Sequence, residues 1–428
     1  MKTKYLIVGA GISGLTFASY CKDDYIIIEK ENEVGGYCKT HYKDDYVWDY
    51  AGHFFHFKTD EFKEKFIDSL NKNDFVTQDK KTYIYFDNKL IDFPFQTHIH
   101  ELSKDKFIDC LYDLFNKEEK ENYDNFLDML YGKFGKSITE MFLKPYNEKL
   151  YAVDLTKLDK DAMGRFFPYA DVKAIINNMK KNEVNSYNNT FMYPKKGAQV
   201  IIDVLMKDID KNKIILNSMI ESIDLNNKIA KLNNGKEIQY EYLINSIPFD
   251  KFLKLTNNKE YINFSDRLTY NKVLVFNLGF NKKSSYNNHH WLYFPDKDIN
   301  FYRVGFYDNI LNSNKLSMYI EIGYPKDNFI TSDEIDRQLK LTLDNLKKCN
   351  IIDDSFVLNA YESIVMDPAY VHIDAKNDLR VREIMKELSN KNVYSIGRYG
   401  GWTYCSMEDC MVEAKDLYEK IRGNLWLK

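Results

Sequence analysis

The first thirty residues alternate between short apolar runs and one segment of helical length. Residues 5–8 are consecutive apolar positions, and residues 26–28 are three isoleucines. Runs of this length are typical of strands that are buried on both faces of a parallel sheet. The segment between them is mostly apolar from Ile12 onwards and has the length of a helix. The pattern therefore predicts a strand, a helix and a second parallel strand at the start of the chain.

The turn between this first strand and the helix carries glycine at fixed positions. Gly9, Gly11 and Gly14 follow the G-x-G-x-x-G spacing, and Glu29 ends the second strand. Such glycines allow a tight turn, the approach of a pyrophosphate to the backbone, and close packing of helix and strand. The helix N-terminus favours phosphate, and an acidic residue at this distance can hold a ribose diol. We therefore predict a dinucleotide site that includes Ser13, the alternative being a glycine-rich turn without a ligand.

A second pair of glycines helps to decide which dinucleotide is bound. Gly35 and Gly36 follow soon after Glu29, which resembles the pattern of FAD enzymes that have a glutathione-reductase-like fold. The resemblance implies FAD, with Gly36 along the cofactor. It also implies a contact at Ile220, because residues 214–247 resemble the last part of an FAD domain. The alternative interpretation of Gly35 and Gly36 is a loop with two flexible glycines.

Hydrophobic spacing divides the rest of the chain into further segments. Residues 37–57 predict a hairpin, residues 82–92 two short strands, and residues 101–185 a mostly helical insertion. Alternation in four runs between residues 273 and 322 predicts an antiparallel sheet, and a helix near 333–348 precedes a strand at 356–364. The final segment predicts a strand from Val393, a loop and a helix at about 407–421.

The predicted fold class is α/β: a Rossmann-like FAD-binding domain of the glutathione-reductase type, an inserted helical domain and an antiparallel β-sheet substrate domain. The FAD-binding domain is expected to comprise residues 1–96, 188–250 and 386–428. The helical insertion is expected at residues 97–187, and the substrate domain at residues 251–385.

Composition and charge exclude several classes of protein. Hydrophobic residues make up 44% and charged residues 29% of the 428 positions, as in ordinary globular proteins. The net charge of −4 argues against a nucleic-acid-binding protein, because such proteins depend on cationic contacts with phosphates. No apolar run approaches the roughly 20 residues that cross a bilayer, and the first strand begins too early for a signal peptide. The six cysteines are scattered without a C-x-x-C pair. We therefore expect a cytoplasmic protein with reduced thiols, no metal and no membrane partner.

Eight short segments, spread over most of the chain, resemble the UDP-galactopyranose mutase family, and its eukaryotic branch in particular. The most specific is FLKPYNEKLYAVDLTK at residues 142–157, which follows the family pattern F-x-x-P-Y-N-x-K-x-W-A-V-x-x-T-K except that Tyr151 replaces the tryptophan. The remaining matches are GHFFH from residue 52, FPFQ from 93, MGRFFP from 163, WLYFP from 291, FYRVGF from 301, PAYV from 368 and GRYGGWTY from 397.

The resemblance implies roles for particular residues. Uridine contacts fall on Phe95, Gln96, Phe142, Asn147, Trp291 and Tyr293, diphosphate contacts on Arg165, Arg303, Tyr370 and Tyr404, and flavin contacts on His53 and Arg398. His53, Arg165 and Arg303 are the implied catalytic residues. Physical chemistry agrees, because aromatic rings stack on pyrimidines and arginine forks bind phosphate oxygens in pairs. The alternatives are structural ion pairs for the arginines, a core aromatic pair for Trp291 and Tyr293, and half-buried strand histidines for His53 and His56.

Besides Tyr151, the sequence departs from the family pattern at four places. Ala51 replaces a frequent glycine, Val371 replaces a proline, and Arg165 matches only after a shift of one residue. The loop Lys195–Gln199 stands where the family has several glycines. Because the family's loop approaches the flavin and the sugar, this change bears on the identity of the sugar more than on the type of reaction.

The resemblance implies an isomerase that interconverts the pyranose and furanose forms of a UDP-sugar, most directly UDP-galactose, for galactofuranose in cell-surface glycans. N5 of reduced FAD is the implied nucleophile at the anomeric carbon. An external electron donor is then required, with NADPH as one candidate, and a homo-oligomer is expected. Two alternatives stay open: an FAD-dependent amine oxidase or protoporphyrinogen-oxidase-like oxidoreductase, and a nucleotide-sugar sensor without turnover.

Overall fold

The computed structural model describes residues 1–71, 73–181 and 190–426, which form 18 strands and 14 α-helices. The strands are β1 (Lys2–Val8), β2 (Tyr25–Ile28), β3 (Thr40–Lys43), β4 (Tyr46–Asp49), β5 (Phe75–Asp79), β6 (Thr82–Phe86), β7 (Lys89–Asp92), β8 (Thr190–Pro194), β9 (Ile214–Ile215), β10 (Ile220–Asp224), β11 (Ile229–Leu232), β12 (Glu237–Asn245), β13 (Tyr270–Phe280), β14 (Trp291–Tyr293), β15 (Arg303–Phe306), β16 (Ser317–Pro325), β17 (Leu358–Val371) and β18 (Val393–Ser395). The helices are α1 (Ile12–Tyr20), α2 (Asp60–Asp68), α3 (Lys104–Phe115), α4 (Phe126–Ile138), α5 (Lys144–Tyr151), α6 (Val172–Lys181), α7 (Val200–Met206), α8 (Phe249–Leu255), α9 (Lys259–Ser265), α10 (Tyr307–Leu311), α11 (Ser332–Lys348), α12 (Ala375–Ser389), α13 (Gly397–Gly400) and α14 (Met407–Trp426).

The first sheet has the order β10-β11-β12-β1-β2-β9, and β18 also pairs with β12. Strand β1 lies between β2 and β12 and runs parallel to both. Helices α1, α7 and α14 cover one face, and α8, α9 and α12 cover the other. Burial on both faces explains why β1 and β2 are continuously apolar.

The second sheet has the order β17-β13-β16-β15-β14-β6-β7 and is antiparallel except between β14 and β6. Its long central strand β13 pairs with both β16 and β17. The hairpin β6–β7 turns at Asp87 and Asn88, which both adopt positive φ. This hairpin falls within the first predicted FAD-binding segment, residues 1–96, yet it extends the second sheet.

Helices α3, α4 and α5 share a core with one face of the second sheet, and α11 packs on its other face. The predicted fold class is confirmed: a Rossmann-like sheet, a helical insertion and a largely antiparallel second sheet. The predicted boundary between residues 187 and 188 lies outside the described residues, as does the end of the predicted helical segment after residue 181. Within the described part of the chain, every helix is too short or too polar to cross a bilayer.

Strand β17 is longer than the predicted strand at 356–364, because it continues to Val371. Pro368 concealed this extension, since proline lacks a donor for a sheet ladder. The register against β13 shifts between Asn271 and Val273, which accommodates the irregularity. As a result Tyr370 projects from a strand, opposite Asn271.

Candidate active site

The glycine turn has the close packing that the sequence predicts. Gly9 has a φ of +98°, and a Cβ atom on Gly14 would lie 2.1 Å from the Gly9 carbonyl oxygen. Gly11 has open space where its Cβ atom would be, and it directly precedes α1. A Cβ atom on Gly36 would approach the Gly11 Cα to 3.3 Å. The turn is therefore tightly packed between Gly9 and Gly14 and open at Gly11, as the binding of a pyrophosphate requires.

Glu29 is held beside this turn. Its Oε2 accepts the Ala10 N–H at 2.7 Å, and its Oε1 accepts the Glu31 N–H at 3.0 Å. Ser13 meets the last segment of the chain, because a Cβ atom on Gly397 would lie 2.1 Å from the Ser13 Oγ. Ile220, by contrast, is the first residue of β10, and its side chain is buried in a hydrophobic core of the first sheet.

Arg303 lies on β15, between Tyr293 of β14 and Glu321 of β16. Its Nη2 donates to the Glu321 Oε1 at 2.6 Å, and the Glu321 side chain is only 2% exposed. The Arg303 Nε and the Glu321 Oε2 are buried, and neither has a partner among the described residues. The pair therefore fixes the guanidinium while leaving hydrogen-bonding capacity for a ligand.

Arg398 stands over two tyrosines from different segments. Its guanidinium lies 5.0 Å from the Tyr370 ring centroid and 4.6 Å from that of Tyr404. These two rings stack at 5.7 Å. The Arg398 Nη1 also donates to the Cys405 carbonyl at 3.2 Å, while its Nε is buried without a partner in the described part of the chain.

His53 is near enough to both arginines for their charges to act on it. Burial, together with the nearby charges of Arg398 and Arg303, lowers the pKa of His53 to about 4. The imidazole is therefore neutral at pH 7, and its buried Nδ1 has no partner among the described residues. Both guanidinium groups also act on the Tyr404 hydroxyl electrostatically. The structure thus brings His53, Arg303, Arg398, Tyr370 and Tyr404 around one buried region.

The residues expected at uridine form a continuous aromatic cluster. Phe142 stacks on Phe95 at 5.1 Å and on Tyr146 at 5.2 Å, and Tyr146 contacts Tyr293 edge-on at 5.2 Å. Trp291 donates to the Tyr293 hydroxyl at 3.0 Å. Both faces of Phe142 are therefore covered by rings, and a pyrimidine can stack on it only after one neighbour moves.

Two amide side chains beside this cluster keep an oxygen free. Gln96 donates to the Pro168 carbonyl, and Asn147 donates to the Leu143 carbonyl at 2.6 Å. The Gln96 Oε1 and the Asn147 Oδ1 are buried and have no hydrogen-bond partner among the described residues. A buried acceptor without a donor is costly, so each oxygen is suited to a donor from a ligand.

Arg165 lies apart from the other two arginines. Its side chain is 42% exposed and forms an ion pair with Asp409 in the first turn of α14. The adjacent Phe166 contacts the Tyr404 ring at 4.9 Å. Arg165 lines a cavity of about 50 Å³ together with residues 54–58 and the start of α14. The structure therefore places it at the edge of the site, held by an acidic partner.

Sequence reasoning missed Lys80, which links β5 to β6. Its Nζ lies 5.1 Å from the Phe93 ring centroid and 5.7 Å from that of Trp291. Burial and the charge of Arg303 lower the pKa of Lys80 to about 8. Nothing in the sequence distinguishes this lysine from the other cationic residues, because its place depends on strands from distant segments.

The altered loop Lys195–Gln199 is tied to the hairpin β3–β4. The Ala198 N–H donates to the Asp49 Oδ1 at 2.9 Å, and the Gln199 N–H donates to the Thr40 Oγ1 at 3.0 Å. Gly197 adopts a φ of +81°, and a Cβ atom there would lie 2.3 Å from Thr40. The hairpin therefore fixes the path of this loop.

Comparison with known proteins concerns the fold. Residues 7–70 match the model of an NAD(P)-binding Rossmann-like domain. A crystal structure of reduced UDP-galactopyranose mutase superimposes with a TM-score of 0.91 at 21% identity, covering 99% of this chain and 94% of that one. The chain has the fold of UDP-galactopyranose mutase. The resemblance inferred from the sequence motifs is thus confirmed, while the assignment to the eukaryotic branch stays a prediction.

Other proteins share this fold to a smaller degree. A putative protoporphyrinogen oxidase from Exiguobacterium sp. 255-15 superimposes with a TM-score of 0.75 at 16% identity, covering 98% of both chains. Cyclohexylamine oxidase from Brevibacterium oxydans gives 0.69 at 11% identity, covering 99% of both chains. A corticosteroid-binding protein from Candida albicans is 26% identical over 286 residues, which are 60% of this chain and 54% of that protein. The chain thus spans about half the length of that curated relative.

Proposed function

We propose that this protein is a flavin-dependent mutase that interconverts the pyranose and furanose rings of a UDP-sugar, with UDP-galactose as the best supported substrate. The observation that carries this proposal is the convergence of Arg303 and Arg398 on His53 and the Tyr370–Tyr404 stack. Such a polar, cationic region suits a diphosphate, which carries about two negative charges.

The residues present fit FAD. The open backbone at Gly11 and the carboxylate of Glu29 suit a pyrophosphate and a ribose. The buried His53 Nδ1 and Arg398 Nε have no hydrogen-bond partner among the described residues, so each can bind an atom of a ligand. When bound in its reduced form, FAD supplies the nucleophilic nitrogen that the proposed reaction needs. Because its pKa is about 4, His53 can hydrogen-bond to this cofactor at pH 7 without adding a charge.

Arg303 and Arg398 would hold the diphosphate while it is detached from the sugar and when it returns. Arg303 is preorganised by Glu321, and Arg398 by the Cys405 carbonyl and the two tyrosine rings. Groups that are already oriented stabilise the developing charge of a leaving diphosphate without reorganisation during the reaction. Lys80, near Arg303, adds a third cation to this region.

Gln96 and Asn147 would anchor the uridine. Their unpaired oxygens can accept the donor groups that a uracil edge and a ribose present. Binding energy gained at this remote end would position the sugar at the reacting centre. Because rings cover both faces of Phe142, we expect Phe95 or Tyr146 to move when the base binds.

Calorimetric titration with UDP tests the proposal against its alternatives. We expect one binding site per chain for UDP, and no comparable binding of an alkyl amine or of corticosterone. Amine oxidation with release of hydrogen peroxide, or the absence of UDP binding by the FAD-loaded protein, would overturn the proposal. The fold alone does not separate these outcomes, since UDP-galactopyranose mutase and two oxidases all share it.

A further inference from the structure

The start of α14 is closed by a reciprocal hydrogen-bonded cap. The Ser406 Oγ accepts the Asp409 N–H at 3.2 Å, and the Asp409 Oδ2 accepts the Ser406 N–H at 2.8 Å and its hydroxyl at 2.7 Å. In such a capping box, the residue before the cap packs against the residue that follows Asp409 in the first turn. Those two residues here are Cys405 and Cys410.

The two cysteines are neighbours at a position where helices commonly place apolar side chains. Their Sγ atoms lie 3.5 Å apart, and both thiols are free. Cys405 is partly exposed, whereas Cys410 is buried. The helix cap therefore holds the thiol of a partly exposed cysteine against a second thiol, which is the arrangement needed for intramolecular oxidation.

The segment between these cysteines supports two of the arginines near the site. The Cys405 carbonyl accepts from Arg398, and Asp409 pairs with Arg165. Tyr404, which precedes Cys405, lies under the Arg398 guanidinium. A movement of Cys405 would therefore disturb Arg398 in two ways, because it displaces the carbonyl oxygen that accepts from Arg398 and the adjacent Tyr404 ring.

We propose that Cys405 and Cys410 form a reversible disulfide that weakens the diphosphate site under oxidising conditions. The oxidant is a low-molecular-weight disulfide. The Cys405 thiol loses its proton to solvent, and the resulting thiolate attacks one of its sulfurs and expels the first external thiolate. The Cys410 thiolate then attacks the Cys405 Sγ and expels the second. The protein loses two protons and two electrons, and the external disulfide becomes two thiols.

The positions of the two cysteines explain why the disulfide can form and how it would affect Arg398. The separation of 3.5 Å between the two Sγ atoms places the Cys410 thiol within reach of a mixed disulfide on Cys405, which favours the second attack. A disulfide requires a separation of about 2.05 Å, so the sulfurs must approach each other. Cys410 is held within α14, so we expect Cys405 to move and to shift its carbonyl away from Arg398. The effect on UDP rests on the proposed function, whereas formation of the disulfide does not.

Mass spectrometry after alkylation and digestion tests the disulfide in the full-length protein. In buffers of defined glutathione and glutathione disulfide ratio, we expect a linked Cys405–Cys410 peptide that dithiothreitol reverses. Cys405→Ser and Cys410→Ser should each abolish it. Cys38→Ser is the matched control and should retain it, because Cys38 contacts Met407 but lies outside the cap. Two persistently free thiols, or a Cys38–Cys410 link, would overturn the proposal.

A UDP titration of the reduced and oxidised forms tests the consequence. We expect affinity for UDP to fall about tenfold on oxidation, as for the loss of one charge-assisted hydrogen bond. Affinity should recover after reduction, and Cys405→Ser should be insensitive to oxidant. Equal affinity in both forms, with the disulfide present, would contradict the switch. Absence of UDP binding in the reduced form would instead refute the proposed function.

Discussion

Arg303 is the residue on which the proposed diphosphate site depends most. Its side chain is 20% exposed, and its ion pair with Glu321 satisfies only part of its donors. A buried guanidinium with spare donors is costly unless a ligand completes its partners. The donors of this residue that Glu321 does not use are therefore available to a ligand.

Arg303→Ala should weaken UDP binding by about 2 kcal/mol, or roughly 30-fold, because hydrogen bonds between charged groups are lost. The FAD content should remain unchanged, since the residue lies on the second sheet. Isothermal titration with UDP and the visible absorbance of the bound flavin measure the two effects. Arg337→Ala is the matched control, because Arg337 pairs with Glu334 on the exposed side of α11. A variant that binds UDP like the unmodified protein would contradict the assignment.

Lys80 predicts a pH dependence of UDP binding. Because the pKa of Lys80 is about 8, its side chain is positively charged at pH 7 and loses this charge as the pH rises through 8. UDP affinity should therefore fall about tenfold between pH 7 and pH 9, while bound UDP raises the pKa of the lysine. In Lys80→Met, affinity should be lower at pH 7 and nearly constant over this range. An unchanged pH profile in the variant would exclude Lys80 from the site.

At the scale of elements, the turn between β1 and α1 has one glycine that packing requires and another that the protein's own packing does not require. Gly14 is required for packing, because any Cβ atom there meets the Gly9 carbonyl. Gly11 has no such constraint in the protein itself. The absence of a side chain at residue 11 is therefore explained by the close approach of a ligand to the backbone.

Gly11→Ala should fold with a melting temperature close to that of the unmodified protein without cofactor, and yet retain little FAD. The added methyl group would stand between the backbone and the pyrophosphate. Gly423→Ala is the control, since a Cβ atom there also has open space. Thermal unfolding of the cofactor-free forms and flavin absorbance after purification measure both properties. Full FAD occupancy in Gly11→Ala would argue against a dinucleotide at this turn.

Local patterns predicted most elements, and the failures have physical causes. The apolar runs of β1 and β2, the turn at Asp87 and Asn88, and helix α11 follow from spacing within a few residues. The extension of β17 past Pro368 depends on pairing with β13, which the local sequence does not encode. The addition of β6 to the second sheet depends on its long-range pairing with β14.

At the scale of the whole molecule, the site is assembled from segments that are distant in sequence. His53, Arg303, Tyr370 and Arg398 meet only after the two sheets have packed together. Motif resemblance could nominate these residues one by one, because each lies in a recognisable segment. It could not nominate Lys80 or Glu321, whose positions follow from cross-strand neighbours. Nor could spacing show that Arg165 pairs with Asp409.

The same architecture occurs in UDP-galactopyranose mutase and in two oxidases, so the site and not the fold must decide the chemistry. In this chain, the candidate site residues include cationic groups and amide oxygens that have no partner among the described residues. This combination, beside the aromatic cluster around Phe142, suits a nucleotide diphosphate with its base, and the cationic groups disfavour an amine.

The most direct test is to load the purified protein with FAD, reduce it with dithionite, add UDP-galactofuranose, and follow the products by chromatography. We expect conversion to UDP-galactopyranose by the reduced protein, none by the oxidised protein, and a strong loss in Arg303→Ala. Reduced protein that binds UDP and FAD and yet leaves UDP-galactofuranose unchanged would contradict the proposed function.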